Sequence, residues 1–107
     1  MDMYSALADP KRRTILEMLS QNGQLTATEI YEKFSASPPA ISQHLKVLRE
    51  AKLVDMEKNA QQRIYRLNPD TLSEIEAWIH NTSKVWSKRF DALDLVLNAE
   101  KRKLVKK

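Results

Sequence analysis

Four side chains in the stretch SASPPAISQHLKVLREAKLV, residues 35–54, share one face and could do chemistry together. At about 100° per residue, Pro39, Gln43 and Lys46 fall on one side of a helix, with Ser42 at its flank. Ile41, Leu45 and Leu48 fall on the other. An amide, a hydroxyl and a basic residue, with no carboxylate before Glu50, suit a duplex major groove. There they can meet base edges and phosphates without repulsion. A merely solvated helix face would carry the same residues, so the context decides. Catalysis finds no constellation here. The chain has no cysteine, its histidines His44 and His80 lie far apart, and no glycine-rich loop cradles a phosphate. No catalytic residue, metal ligand or cofactor is expected.

The elements that must position this face are punctuated clearly. Ser37 reads as an N-cap and Pro38 as the first helical residue, so the prolines start the helix rather than break it. Upstream, Asp9-Pro10 opens a helix through Ile15, Leu16 and Leu19 that ends near Asn22-Gly23. Thr26 and Glu29 form a capping box, with Leu25 and Ile30 as its hydrophobic staple, and start a short helix carrying Ile30, Tyr31 and Phe34. Downstream, Leu53 to Lys58 alternates weakly, Asn59-Ala60-Gln61 is a polar turn, and Gln62 to Leu67 alternates strictly. A hairpin directly after a three-helix unit is the order of a winged helix-turn-helix. Arg63 lies close to the turn, where a wing reaches the adjacent minor groove or backbone. Arg66 is either a second such contact or a solvated strand residue.

After Asn68-Pro69 a long helix is expected from Thr71 to Ala99. Leu72, Ile79, Trp86 and Leu93 recur every seven residues, Ile75 and Val96 lie on a neighbouring row, and Trp78, Val85, Phe90 and Leu97 widen the stripe. A small domain covers only part of such a helix, so the rest should meet another chain. The closing KRKLVKK is basic. The chain's 107 residues make one domain, with 30% charged and 42% apolar residues and a net charge of +4. A mild basic excess is compatible with polyanion binding. Without cysteine, disulfides and thiolate sites are excluded. MDMYSALADP shows no leader pattern and no stretch is apolar enough to span a membrane, so a cytoplasmic location is expected.

ALADPKRRTILEMLS, SPPAISQHLKVLREAKLV and a hairpin ending in IYRL together resemble the ArsR-type winged-helix transcriptional repressors, from about Leu7 to Leu97. The resemblance implies a mainly α fold with a small β-hairpin: a winged helix-turn-helix with a long C-terminal dimerisation helix. Over 1–107 it divides into a helix-turn-helix at about 26–51, a wing at 53–67, dimerisation helices at 1–8 and 71–99, and a basic tail at 100–107. It implies a homodimer on double-stranded operator DNA, paired through Tyr4, Leu7, Ile79, Trp86, Phe90, Leu93 and Leu97. By motif, the recognition-helix contacts fall on Pro38, Pro39, Ser42 and Gln43, with Lys46 on phosphate. Lys11, Arg12, Lys58 and Arg63 are the expected anchors on the backbone.

The departures bear on regulation. Where many relatives carry a Cys-Val-Cys thiolate site, this chain reads ATEIYEKF; on the last helix it offers His80 alone. Metal sensing is therefore not expected. His44 matches a family histidine that serves packing or a phosphate contact. Lys52 stands where relatives have a helix-ending Gly, at a cost on the order of 1–2 kcal/mol if the backbone there is left-handed. The wing also lacks its usual Gly. Two alternatives stay open: a winged helix that binds protein, and a repressor released by a small molecule lodged near Trp78, Trp86 and Phe90. The identity of any effector is not legible.

Overall fold

The computed structural model describes the backbone of residues 1–105 and the side chains of residues 1–89 and of Asp91. Its elements run α1 (Met3–Ala6), α2 (Pro10–Asn22), β1 (Leu25–Thr26), α3 (Ala27–Glu32), α4 (Pro38–Glu50), β2 (Val54–Asn59), β3 (Gln62–Leu67) and α5 (Pro69–Val105). Met1–Leu72 forms one compact unit, and a second begins at Ser73. No helix among the described residues is long and apolar enough to cross a membrane.

The helices begin and end for local reasons. Asp9 accepts hydrogen bonds from the amides of Lys11 at 2.8 Å and Arg12 at 3.3 Å, with Pro10 opening α2. Gly23, at φ 81°, closes it by donating to the Leu19 carbonyl at 2.8 Å. The Thr26–Glu29 capping box is reciprocal: the Glu29 amide bonds Thr26 Oγ1 at 3.2 Å, and the Thr26 amide bonds Glu29 Oε1 at 2.9 Å. α3 stops at Glu32, so Phe34 lies outside it, its amide bonding the Tyr31 carbonyl at 3.2 Å in a 3₁₀-type turn.

α4 ends in a Schellman motif. Leu53 N–H bonds the Leu48 carbonyl at 2.9 Å and Lys52 N–H the Arg49 carbonyl at 3.0 Å. Lys52 itself is left-handed, at φ 62°. Leu48 and Leu53, the apolar pair such a motif favours, are both fully buried.

One core fills the first unit. Ile15 and Leu19 of α2, Ile30 of α3, Ile41, Leu45 and Leu48 of α4, and the following Leu53 are fully buried. At about 1.5–3 kcal/mol for each large side chain buried, they fix where α4 sits. α4 packs on α1, α2, α3 and β2.

The sheet has one strand more than the hairpin expected from sequence. Its order is β1-β3-β2, all antiparallel, with Leu25 opposite Tyr65 and Thr26 opposite Ile64. β1 is two residues long, and Thr26 serves the strand and the cap of α3 together. The hairpin pairs Val54 with Leu67 through to Asn59 with Gln62, leaving Ala60-Gln61 as the turn. Ala60 takes φ 58°, where glycine would be unstrained.

α5 starts two residues before the expected Thr71. Asn68 Oδ1 accepts from the amides of Asp70 at 3.0 Å and Thr71 at 3.4 Å, and Pro69 needs no partner for an N–H it lacks. The helix also continues past Ala99 into the basic stretch, reaching Val105. Lysine and arginine are good helix formers, and cations near a C-terminus suit the helix dipole.

Two tests follow from the backbone and the caps. Lys52→Gly should relieve the left-handed strain at the end of α4, less the entropy that glycine adds to the unfolded chain. The net gain is about 0.5–1 kcal/mol, visible as a rise of a few degrees in a thermal melt. The second concerns pH. Asp2 is held below its ordinary pKa by the Ser5 amide, and Glu29 by the Thr26 amide. For Asp9 desolvation pulls upward, but the amides of Arg12 and Lys11 and nearby positive charge outweigh it, and its pKa is lowered too. A carboxylate depressed in the folded state stabilises it above the ordinary pKa, and that contribution is lost as pH falls through the folded value. Asp2→Asn, Asp9→Asn and Glu29→Gln together should therefore flatten the acid limb of the melting temperature below about pH 5. An unchanged acid limb would remove these caps from the pH response.

Candidate nucleic-acid interface

The outward face of α4 is built as the helical spacing requires. With Ile41, Leu45 and Leu48 locked inward, Pro39, Gln43 and Lys46 must point away from the core, and all three are exposed. Pro38 and Ala40 are exposed on the first turn, and Ser42 is half-buried at the flank. Ser37 occupies the N-cap position but makes no side-chain capping bond. The sequence assigned that hydroxyl to capping, but Pro39 at the second helical position lacks one of the two amides that an N-cap side chain accepts from. Along the row Pro39, Gln43, Lys46 there is no carboxylate; Glu50 comes only at the last turn.

The wing carries its charges in a sorted pattern. Lys58 and Arg63 stand directly opposite each other across the hairpin, both exposed. Residues opposite one another share a face of the sheet, and two like charges there repel. Among the described residues neither is given an ion pair or a hydrogen bond through its side chain. Arg66 differs: it points to the other face and pairs with Glu57 at 2.7 Å, an ion pair of two well-exposed side chains. Its charge is thereby spoken for, whereas the tip is left with two uncompensated cations.

The two arginines of α2 are occupied by the protein itself. Arg12 donates from Nε to the Ala6 carbonyl at 2.7 Å and from Nη2 to the Ser5 carbonyl at 3.4 Å. Its Nη1 lies 3.3 Å from His44 Nδ1. A guanidinium can only donate, so in this contact the ring nitrogen of His44 is the acceptor. Arg13 donates to the carbonyls of Leu7 at 2.7 Å and Ala8 at 3.1 Å. Arg12, which the sequence reading put on phosphate, is thus half-buried and ties α1 to α2 and α2 to α4. Lys11 is exposed one position earlier. Arg13 went unnoticed as a brace, because its carbonyl acceptors are set by the turn between α1 and α2.

Of the expected dimer residues, Tyr4 is 41% exposed on α1 and Leu7 is half-buried just after it. In the second unit Ile79 is 51% and Trp86 50% exposed, beside Trp78 at 54% and Val85 at 56%. Arg89 lies over the Trp86 ring at 5.4 Å, a cation–π contact. Phe90, Leu93 and Leu97 lie outside the described side chains. His80 is exposed. No group of three or more metal-ligating side chains occurs among the described residues.

Comparison with known proteins agrees with this geometry. Residues 9–56 match the model for bacterial regulatory proteins of the arsR family. The transcriptional repressor SdpR of Bacillus subtilis is 36% identical over 80 residues, covering 75% of this chain and 88% of that protein. The arsenical resistance operon repressor of Staphylococcus xylosus is 41% identical over 73 residues, 68% of this chain and 69% of the other. A crystal structure described as a possible transcriptional regulator for arsenical resistance superposes with a TM-score of 0.70 at 38% identity. That match covers 77% of this chain and 84% of the other. With a carboxylate-free run from Pro39 to Lys46 on α4 and a cationic hairpin tip beside those likenesses, this chain belongs to the ArsR family, the DNA-binding winged-helix regulators of transcription.

Proposed function

We propose that the protein is a homodimeric, sequence-specific repressor that places α4 in the major groove of operator DNA and sets the hairpin tip on the adjacent backbone or minor groove. The observation that carries this reading is the outward row of α4. Pro39, Gln43 and Lys46 are all exposed, no carboxylate interrupts them, and the opposite side of the helix is locked in the core. The wing supports it. Lys58 and Arg63 repel each other in the free protein, and a phosphate group between them would turn that cost into attraction. Lys11 and Lys46 extend the basic footprint. Arg12 acts on DNA through the placement of α4, since its guanidinium is committed to Ala6 and His44.

The exposed Ile79, Val85 and Trp86 support a second copy as the cover of the last helix. In the dimer the two α4 helices would read half-sites about 34–36 Å apart, or a multiple of that. The absence of cysteine argues against a thiolate metal sensor, so occupancy would follow protein concentration or an effector other than a thiol-bound metal. The carboxylate-free run from Pro39 to Lys46 speaks against a protein-binding winged helix.

Two measurements separate the parts of this reading. Gln43→Ala should relax base preference at one position per half-site by roughly 1–3 kcal/mol. Arg63→Ala should weaken all sequences alike and reduce the slope of log affinity against log salt by about one for each arginine removed from phosphate. Gel-shift titration against scrambled competitor reads both, and unchanged binding in both variants would reject the docking. For the dimer, Ile79→Asp should loosen self-association by about 10²-fold or more, since two copies of a buried side chain are lost. Sedimentation equilibrium checks this, and a wild-type chain that stays monomeric at micromolar concentration would remove the interface.

A further inference from the structure

Two consecutive prolines open α4 where one would serve. Pro38, at the first helical position, supplies a helical φ and lacks only an N–H that would go unpaired. Pro39, at the second position, also fixes a helical φ and removes a second N–H that no carbonyl of α4 could accept. Of the first three helical positions only Ala40 keeps an amide hydrogen, and Pro38, Pro39 and Ala40 are all exposed. Beyond the exposed Ser37 at the N-cap, the first turn of α4 is therefore an apolar surface of two rings and a methyl group. The polar side chains Gln43 and Lys46 begin a full turn later.

A recognition helix brings its N-terminal residues against base edges. Every major-groove edge presents hydrogen-bond donors or acceptors, and only thymine adds an apolar feature, its 5-methyl group. A proline ring set against guanine or cytosine edges would strip water and return no hydrogen bond. Set against a thymine methyl, it buries carbon on carbon.

We infer that Pro39, flanked by Pro38 and Ala40, packs on the 5-methyl group of a thymine in each half-site, and so reads an A·T pair through its methyl group. The inference rests on α4 being the DNA-reading helix, as proposed above. Gln43 lies four residues on, about 6 Å along the axis, which is roughly two base-pair steps of about 3.4 Å. Glutamine pairs best with adenine N6 and N7. The thymine therefore lies within about two base pairs of the position that Gln43 reads.

The test is a uracil scan. A duplex enriched from random sequence by the full-length protein is resynthesised with each thymine replaced in turn by uracil, which keeps base pairing and removes one methyl. Affinity is read by fluorescence anisotropy at one salt concentration. At one position per half-site the wild-type chain should lose about fourfold, the worth of burying a single methyl. At that position a 5-methylcytosine·G pair should bind more tightly than a cytosine·G pair. Pro39→Ser, shown folded by its melting curve, should bind thymine and uracil duplexes alike. Uniform affinity across the scan, or a sensitive position equally sensitive in Pro39→Ser, would overturn the assignment. If no sequence enriches at all, the reading of α4 fails and the thymine goes with it. Enrichment with a Gln43-dependent position but no methyl-sensitive one removes the thymine alone.

Discussion

The guanidinium of Arg12 is the joint on which the arrangement of helices turns. It reaches from α2 to the carbonyls of Ser5 and Ala6 at the end of α1 and to the ring of His44 in α4. Ala6 is fully buried beside it. A planar fork with fixed donor directions can satisfy these acceptors only in one mutual orientation of the three helices. The apolar core holds α4 against sliding out, but Leu and Ile side chains tolerate small rotations. Directional hydrogen bonds to backbone carbonyls do not. The outward face of α4 is therefore set partly by a half-buried residue of another helix.

Charge is distributed by the same economy. Of the three basic residues on the hairpin, one is neutralised locally: Arg66 by Glu57 on the outer face. The other two sit opposite each other, on the face shared with Val54, Met56 and Tyr65, where the sheet runs on past the buried core. A modest net charge of +4 thus becomes a local concentration at the hairpin tip. Position, rather than total charge, decides what the hairpin tip would offer a polyanion.

Much of this was legible from sequence because the deciding interactions are local. Asp9-Pro10, Thr26 with Glu29, and Asn68-Pro69 each act within a single turn, and each caps the helix it announces. The outward row of α4 needed only the helical period and three buried aliphatic residues. The hairpin was legible from its alternation and polar turn, but Asn59, read as part of that turn, pairs with Gln62 at the end of β2. What sequence did not show was non-local. β1 is two residues that join the sheet only because β3 passes beside them, and nothing in Leu25-Thr26 announces a strand. Arg12 looked like a phosphate contact because a basic residue beside a helix start usually faces water. Its partners here are Ala6, Ser5 and His44, six, seven and thirty-two residues away. The extra length of α5 at its basic end likewise came from helix propensity overriding the look of a charged tail.

Two backbone positions with a left-handed φ bracket β2, Lys52 before it and Ala60 after it, and neither is glycine. Glycine at both would relieve strain but would leave the wing hinged at each end on the most permissive residue available. With side-chain-bearing residues there, the strand between has few other conformations to visit, and the sole glycine of the chain lies elsewhere, at the end of α2. At these two positions the unfolded chain has fewer conformations open to it than glycine would allow, which offsets part of the strain.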